Sequence, residues 1–199
     1  MFEAAEYIGI IAFAVSGFFV AVRSRLDFLG VLVSMFLTAL GGGIIRDVIV
    51  GRIPYAFSDN IPAIVILCVM MLLFLLRFHT RASIENRLFF ILSDSIGLIS
   101  FSIAGALIAI ESALNLTGTL VLAFITAVGG GITRDVIINE VPFVFKTGFY
   151  GTVSLLAGFC VYLFEKADIL NFYSITGILV MGVLLRIIAY YRKWSIPLV

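Results

Sequence analysis

Two short segments of this chain carry residues that are unusual inside long apolar stretches. Each segment has three glycines, two further residues and then Arg-Asp, as Gly41-Gly42-Gly43-Ile44-Ile45-Arg46-Asp47 and as Gly129-Gly130-Gly131-Ile132-Thr133-Arg134-Asp135. A glycine costs about 1 kcal/mol relative to Ala in a helix interior, and a charged side chain is rarely tolerated against lipid without a partner. The two segments are therefore the first candidates for a functional site.

The glycines are compatible with two structures. They can break a helix, so that freed carbonyls of Gly41, Gly42, Gly43, Gly129, Gly130 and Gly131 line a water-filled cavity. They can instead let two helix backbones pack closely, although packing motifs usually space small residues by four. We predict the break, with the two broken segments meeting near the bilayer centre.

The four charges that follow the glycines need partners or water. Neighbouring residues on a helix point about 100° apart, so we expect Arg46 to pair with Asp135 and Arg134 with Asp47, across the two segments. Alternatively, the carboxylates stay partly free and set a preference for cations. The arginines would then be neutralised by the aspartates or act as a movable gate.

Three further polar residues are candidates for the same pathway. Thr38 and Thr126 stand one turn before the glycines, and their hydroxyls can line a passage or bond back to their own helix. Asp94 lies about two turns inside a predicted helix, where an acidic group is a candidate site. Its alternative role is a carboxylate at headgroup level, bonded to a nearby serine or a cytoplasmic arginine.

The composition places these residues in a membrane protein. Hydrophobic residues make up 62% of the 199 residues and charged residues 13%, with a mean hydropathy of +1.21, against about 45–50% and about 25% in soluble domains. This excludes a soluble enzyme. The net charge of +1 gives no field for nucleic acid. No catalytic or metal-binding constellation is present, so we expect neither enzymatic activity nor a cofactor.

Seven apolar runs predict seven transmembrane helices in an all-α fold. They cover about residues 5–22, 28–50, 61–77, 88–110, 117–138, 148–164 and 172–191. The second and fifth of these helices contain the glycine triplets. The connections between the runs are too short for a second domain, so we expect residues 1–199 to form one transmembrane domain.

The chain contains an internal duplication with an offset of 88 residues. Between positions 8–57 and 96–145, 24 of 50 ungapped residues are identical, which is too many for shared hydrophobicity alone. The offset also relates Glu6 to Asp94. We define repeat 1 as about residues 3–77 and repeat 2 as about 88–165. Three helices per repeat predict that the second copy is inverted, with a seventh helix, at about 172–191, outside the duplication.

The basic residues predict an orientation in the membrane. Counted by alternating connections, eight lie on one face, and only Arg52 and Lys166 lie on the other. The eight are Arg23, Arg25, Arg77, Arg81, Arg87, Lys146, Arg192 and Lys193. The first face should be cytoplasmic, with the N-terminus outside and the C-terminus inside. One pair disagrees with this pattern, because Arg52 falls outside and Glu140 inside.

The duplicated Gly-Gly-Gly-Ile-X-Arg-Asp signature, in a short chain of three plus three plus one helices, resembles the trimeric intracellular cation (TRIC) channel family. The prokaryotic branch, formerly described as glycine-transporter-like, is the closer match. The resemblance implies a homotrimer in which each subunit has its own pore, kinked at the glycine triplets. Arg-Asp replaces a Lys-Glu-Val stretch that contacts lipid headgroups in animal members. The resemblance therefore favours a prokaryotic plasma membrane.

The sequence and the resemblance together predict passive conduction of monovalent cations, K⁺ with Na⁺, at modest selectivity. The alternative is a secondary transporter of a small solute such as glycine, because inverted repeats with broken helices recur in transporters. A third possibility is a non-conducting protein that binds lipids, in which the glycines only pack.

Overall fold

The described part of the chain folds into helices joined by short connections. The structure, a computed structural model, describes residues 2–80, 84–146, 149–192 and 194, without the side chains of residues 80 and 84–87. Of the basic residues counted above, Arg81, Lys193 and the side chain of Arg87 lie outside the described residues. The helices are α1 Phe2–Arg23, α2 Phe28–Ile49, α3 Tyr55–Ser58, α4 Ile61–Leu75, α5 Ile84–Glu111, α6 Leu116–Ile137, α7 Phe143–Lys146, α8 Tyr150–Lys166 and α9 Phe172–Tyr191.

The long helices agree with the predicted apolar runs. Seven described helices have 15 or more residues, and their ends fall within four residues of those runs. Two four-residue helices, α3 and α7, were not predicted. They lie in connections that were expected to be irregular, directly after Pro54 and Pro142. Proline fixes φ at a helical value, which favours a turn of helix after it.

Five of the described helices are long and apolar enough to cross a membrane. They are α1, α2, residues Leu88–Glu111 of α5, α6 and α9. Helix α4 is apolar but has only 15 residues, a length of about 22 Å at 1.5 Å per residue. The number of helices that cross the bilayer therefore stays a prediction.

The two repeats adopt the same local structure. Helices α2 and α6 begin and end at positions 88 residues apart, and so do α3 and α7. Asp27 caps α2 by accepting from the Gly30 amide, and Asn115 caps α6 by accepting from Gly118. Equivalent caps and turns give each pair of helices the same start and length.

Reciprocal contacts relate the repeats by a pseudo-two-fold axis. Gly9 lies against the ring of Phe101, while its equivalent Gly97 lies against Phe13. The two rings, themselves equivalent, contact each other with centroids 5.2 Å apart. Such isologous contacts are the result of two-fold symmetry. Helices α1, α2, α5 and α6 form the centre, and α9 packs on α5 and α8.

Two ion pairs establish that the repeats run in opposite directions. Arg23, at the end of α1, pairs with Glu140 after α6 at 3.1 Å, and Arg52, after α2, pairs with Glu111 at the end of α5 at 3.2 Å. The ends of α1 and α5 therefore lie at opposite ends of the bundle. This is the inverted arrangement that three helices per repeat predicted.

The same ion pairs explain the charges that disagreed with the orientation count. The offset of 88 residues relates Arg23 to Glu111 and Arg52 to Glu140, so one ion pair is the other with its signs exchanged. Each end of the molecule keeps one such pair. Arg52 and Glu140 are paired locally and need not follow the overall distribution of charge.

Candidate functional site

The predicted helix breaks at the glycines are wrong. Helix α2 continues from Phe28 to Ile49 and α6 from Leu116 to Ile137, so both triplets lie in regular α-helix. Their carbonyls are not freed, and they cannot line a cavity in the way we predicted. The alternative interpretation, close packing of two helix backbones, fits the structure.

The first two glycines of each triplet, Gly41, Gly42, Gly129 and Gly130, form the crossing point of α2 and α6, which we call the glycine crossing. A Cβ at Gly42 would overlap the carbonyl oxygen of Thr126, and a Cβ at Gly130 would lie 2.5 Å from that of Thr38. A Cβ at Gly41 would lie 3.0 Å from the Cα of Gly130. The helical cost of consecutive glycines is offset by this approach, which any side chain would prevent.

Thr38 and Thr126 flank the crossing and bond back to their own helices. Their hydroxyls donate at 2.6 Å to the carbonyls of Ser34 and Leu122. Both side chains are buried. Of the two roles considered for them, the structure gives local hydrogen bonding, and Thr38 in addition accepts from Nη1 of Arg134 at 3.3 Å.

The charges of repeat 1 form a closed cluster, which we call the repeat-1 cluster (Glu6, Arg46 and Asp47). Arg46 donates through Nη1 and Nη2 to the two carboxylate oxygens of Glu6, at 2.6 and 3.1 Å, and through Nε to Asp47 at 2.7 Å. The ring of Phe2 covers the guanidinium at 5.1 Å. Arg46 is 1% exposed and Glu6 4%, so this bidentate pair is removed from solvent.

The charges of repeat 2 are arranged differently in the repeat-2 cluster (Asp94, Arg134 and Asp135). Nε of Arg134 donates to Asp135 at 2.8 Å, as in repeat 1. Asp94, however, stands where repeat 1 has Glu6 and is shorter by one methylene. Its carboxylate accepts from the Ser16 hydroxyl at 3.1 Å and hydrogen-bonds with Tyr150. Among the described residues, Asp135 is the ion-pair partner that lies within 4 Å of Arg134.

The predicted pairing across the two segments is therefore wrong. Each arginine pairs with the aspartate that follows it, because Nε of Arg46 lies 2.7 Å from Asp47 and Nη2 of Arg134 lies 2.7 Å from Asp135. The second oxygen of each aspartate accepts a backbone N–H in the next connection, from Tyr55 at 3.0 Å and from Phe143 at 2.8 Å. The aspartates thereby fix the starts of α3 and α7.

A small cavity adjoins the repeat-2 cluster. It is partly open at its mouth and has room for about one water molecule. Asp94, Gly131, Arg134, Asp135 and Tyr150 contribute to its lining, together with apolar side chains. The oxygen atoms of the two carboxylates and of the tyrosine are suitable ligands for a hard cation.

One charged residue near this cavity was missed in the sequence. Arg186 lies inside the seventh apolar run, is 3% exposed, and stacks over Tyr150 with its Cζ 4.9 Å from the ring centroid. The signal was present, because an arginine inside a predicted membrane helix marks a functional position by default. The charge count by connections left it out because it lies in no connection.

A tyrosine pair, Tyr7 in α1 and Tyr55 in α3, holds the connection of repeat 1. The hydroxyls of Tyr7 and Tyr55 are hydrogen-bonded, and Tyr55 also donates to Asp59 at 2.9 Å. The bond to Tyr7, followed by burial and Asp59, raises the pKa of Tyr55. The backbone N–H of Ile61 lowers the pKa of Asp59. Tyr55 is therefore a neutral donor and Asp59 an ionised acceptor at neutral pH.

A comparison with known proteins identifies the family. A family profile described as Glycine transporter matches residues 3–78 and again residues 91–166, which are 88 positions apart. A UPF0126 membrane protein, YvgT of Bacillus subtilis, is 34% identical over 98% of this chain and 95% of its own length. The inner membrane protein YadS of Escherichia coli is 31% identical over 77% and 73%.

Solved structures of TRIC cation channels match the whole chain. One, which addresses the structural basis for conductance, is 33% identical over 100% of this chain and 97% of its own, with a TM-score of 0.84. Another, a prokaryotic TRIC channel, is 29% identical over 98% of both chains, with a TM-score of 0.88. The chain belongs to the TRIC cation channel family.

The TRIC channel from Rhodobacter sphaeroides, 24% identical with a TM-score of 0.87, shares the same fold. The relatives are membrane proteins, and the described helices are apolar enough to span a bilayer. This TRIC family member is therefore a multi-pass membrane protein. Its structural neighbours are channels and not enzymes.

Proposed function

We propose that this protein conducts monovalent cations, K⁺ and Na⁺, passively through a pathway inside each subunit of a homotrimer in a prokaryotic cell membrane. The observation that carries the proposal is the 33% identity, over the entire chain, to a TRIC channel studied for its conductance. The positive charges support an orientation with the N-terminus outside and the C-terminus in the cytoplasm.

The two charge clusters mark the proposed pathway. They lie toward opposite ends of the central four helices, because the repeats are inverted, and the glycine crossing lies between them. Arg46 and Arg134 each follow the crossing glycine of their own helix by four residues, or about 6 Å along the axis. The pathway thus has a charged site on each side of a narrow centre.

The repeat-2 cavity is the proposed cation site. Asp94, Asp135 and Tyr150 supply oxygen atoms, and the space fits one particle of the size of water. Since the described backbone at the glycines is helical, selectivity would depend on these side chains and not on a filter of carbonyls. Discrimination between K⁺ and Na⁺ should then be weak.

The glycine crossing is the proposed gate. Its two backbones are in contact in this conformation, so conduction requires α2 and α6 to separate there. Small residues allow such contact to form and to part without displacing side chains. In this proposal Arg46 and Arg134 stabilise the two ends of the central helices, each through the ion pair with its own aspartate.

Purified protein in planar bilayers tests the proposal. Unitary currents whose reversal potential follows the K⁺ gradient are expected, and Asp94→Asn should reduce the conductance severalfold. Glu111→Gln is the matched control, because it removes the same charge from an exposed position on the same helix and should leave conductance unchanged. Saturable counterflow of labelled glycine without unitary currents would support a transporter instead. Silence in both assays would favour a protein that only binds lipids.

A further inference from the structure

Arg186 is a buried cation on the one long helix outside the duplication. Helix α9 is the least buried of the five candidate spans, with 22% of its apolar window inside the protein, yet Arg186 points inward and is 3% exposed. Its guanidinium lies over the rings of Tyr150 and Tyr190, at 4.9 and 5.8 Å. In the described part of the chain, its buried Nε has no hydrogen-bond partner.

The charge of Arg186 distinguishes the two clusters. Each cluster has two carboxylates and one guanidinium and so carries a formal charge of −1. In repeat 2, Arg186 lies over the ring of Tyr150, which lines the cavity together with Asp94, so its charge is added beside this cluster and brings the formal sum to zero. The duplication supplies no equivalent of α9 for repeat 1, because α9 stands outside it and packs on α5 and α8, which belong to repeat 2. Among the described residues, this additional positive charge therefore lies beside the cavity of repeat 2.

A cation in the cavity would meet the same carboxylate. Asp94 lines the cavity, and Tyr150, which Arg186 covers, lines it too. A potassium ion is close to water in size, and the cavity admits about one water. While the charge of Arg186 offsets that of Asp94, a second cation gains little electrostatic free energy by entering the cavity. Without Arg186, the cavity would present an uncompensated charge of −1.

We propose that Arg186 is a tethered cation that competes with the permeant cation for Asp94, so that the position of α9 sets the occupancy of the repeat-2 cavity. This assignment rests on the proposed cation pathway. It makes Arg186 a positioning residue that controls occupancy, and it gives α9 a regulatory role that the duplicated helices lack.

The test compares K⁺ binding in variants of the full-length protein in detergent. Thermal unfolding is followed while KCl replaces N-methyl-D-glucamine chloride at constant ionic strength. Arg186→Gln should lower the half-stabilising K⁺ concentration by about tenfold or more, because a unit charge within several ångströms acts strongly in a buried site. Arg186→Lys should behave as the wild type. Arg192→Gln, at an exposed position at the end of α9, is the matched control and should change nothing.

A double variant shows whether Asp94 is the shared partner. Asp94→Asn with Arg186→Gln removes both charges and should abolish the gain in K⁺ affinity. If Arg186→Gln alone does not fold, Arg186→Met with and without Asp94→Asn gives the same comparison. The proposal is overturned if neutral residues at position 186 leave the K⁺ dependence unchanged, or if the gain survives in the double variant.

Bilayer recordings separate this inference from the proposed function. If the wild type is silent but Arg186→Gln gains K⁺-dependent stability, conduction is refuted and the competition stands. If the wild type conducts and Arg186→Gln shows no gain, the competition is refuted and conduction stands.

Discussion

The two halves of the molecule agree where backbones touch and differ where charges meet. At the glycine crossing, Gly42 and Gly130 make the same approach to the other helix. At the charge clusters, Glu6 reaches the guanidinium of Arg46 directly, whereas Asp94, shorter by one methylene, bonds elsewhere and borders a cavity. The duplication kept the packing that holds the halves together, while a small change in one acidic side chain left one half with space beside its charges.

The largest difference in stability between the two halves is expected when their arginines, Arg46 and Arg134, are replaced. Arg46→Met leaves Glu6 and Asp47 buried without a cation, and a broken buried ion pair costs about 3–5 kcal/mol. Arg134→Met should cost less, because Arg186 still acts on Asp94 and the cavity can admit water. Unfolding by SDS titration in mixed micelles measures both, with Arg192→Gln as the control. Equal losses would mean that the two clusters are equivalent after all.

Alanine substitutions at the glycine crossing should destabilise the protein to a similar extent in the two repeats. Gly42→Ala and Gly130→Ala each place a methyl group against a backbone carbonyl of the other helix, and we expect each to destabilise the protein by about 1–3 kcal/mol. Gly131→Ala is the matched control, since the nearest atom to its Cβ is 3.8 Å away. The same titration checks these values. A tolerated Gly42→Ala would contradict the close approach of α2 and α6.

The smallest effect is expected at the ion pairs with exchanged signs. Glu140→Gln and Glu111→Gln each remove one partially exposed pair, and such pairs contribute at most about 1 kcal/mol. Both losses should shrink in 1 M salt, where screening is strong. A large and salt-independent loss in either variant would show that the pair is not a simple surface interaction.

The sequence was sufficient for the helices and for their relation to each other. Long apolar runs define α1 and α9 by composition alone. The repeated Gly-Gly-Gly-Ile-X-Arg-Asp signature indicated the duplication, and three helices per repeat predicted its inversion. These features depend on periodicity and length, which are local properties of the chain. The four-residue helices α3 and α7 were not predicted, because a single turn after a proline has no periodic signal.

The errors came from contacts that a sequence does not contain. Three glycines weaken an isolated helix, and only the partner helix makes Gly42 favourable in α2. The pairing of Arg46 with Asp47 depends on the conformation of both side chains, one of which also accepts from a backbone N–H eight residues further along the chain. Arg186 was visible in the sequence, but its partner Tyr150 could be assigned only once α8 and α9 were placed together.

The most direct test of the account is the K⁺ conductance of Asp94→Glu in planar bilayers. The longer carboxylate should reach Arg134 as Glu6 reaches Arg46, occupy the cavity and make the two halves alike. We expect the unitary conductance to fall severalfold while the protein stays folded and at least as stable as the wild type. A folded Asp94→Glu variant with wild-type conductance would contradict the claim that cations pass through the repeat-2 cavity.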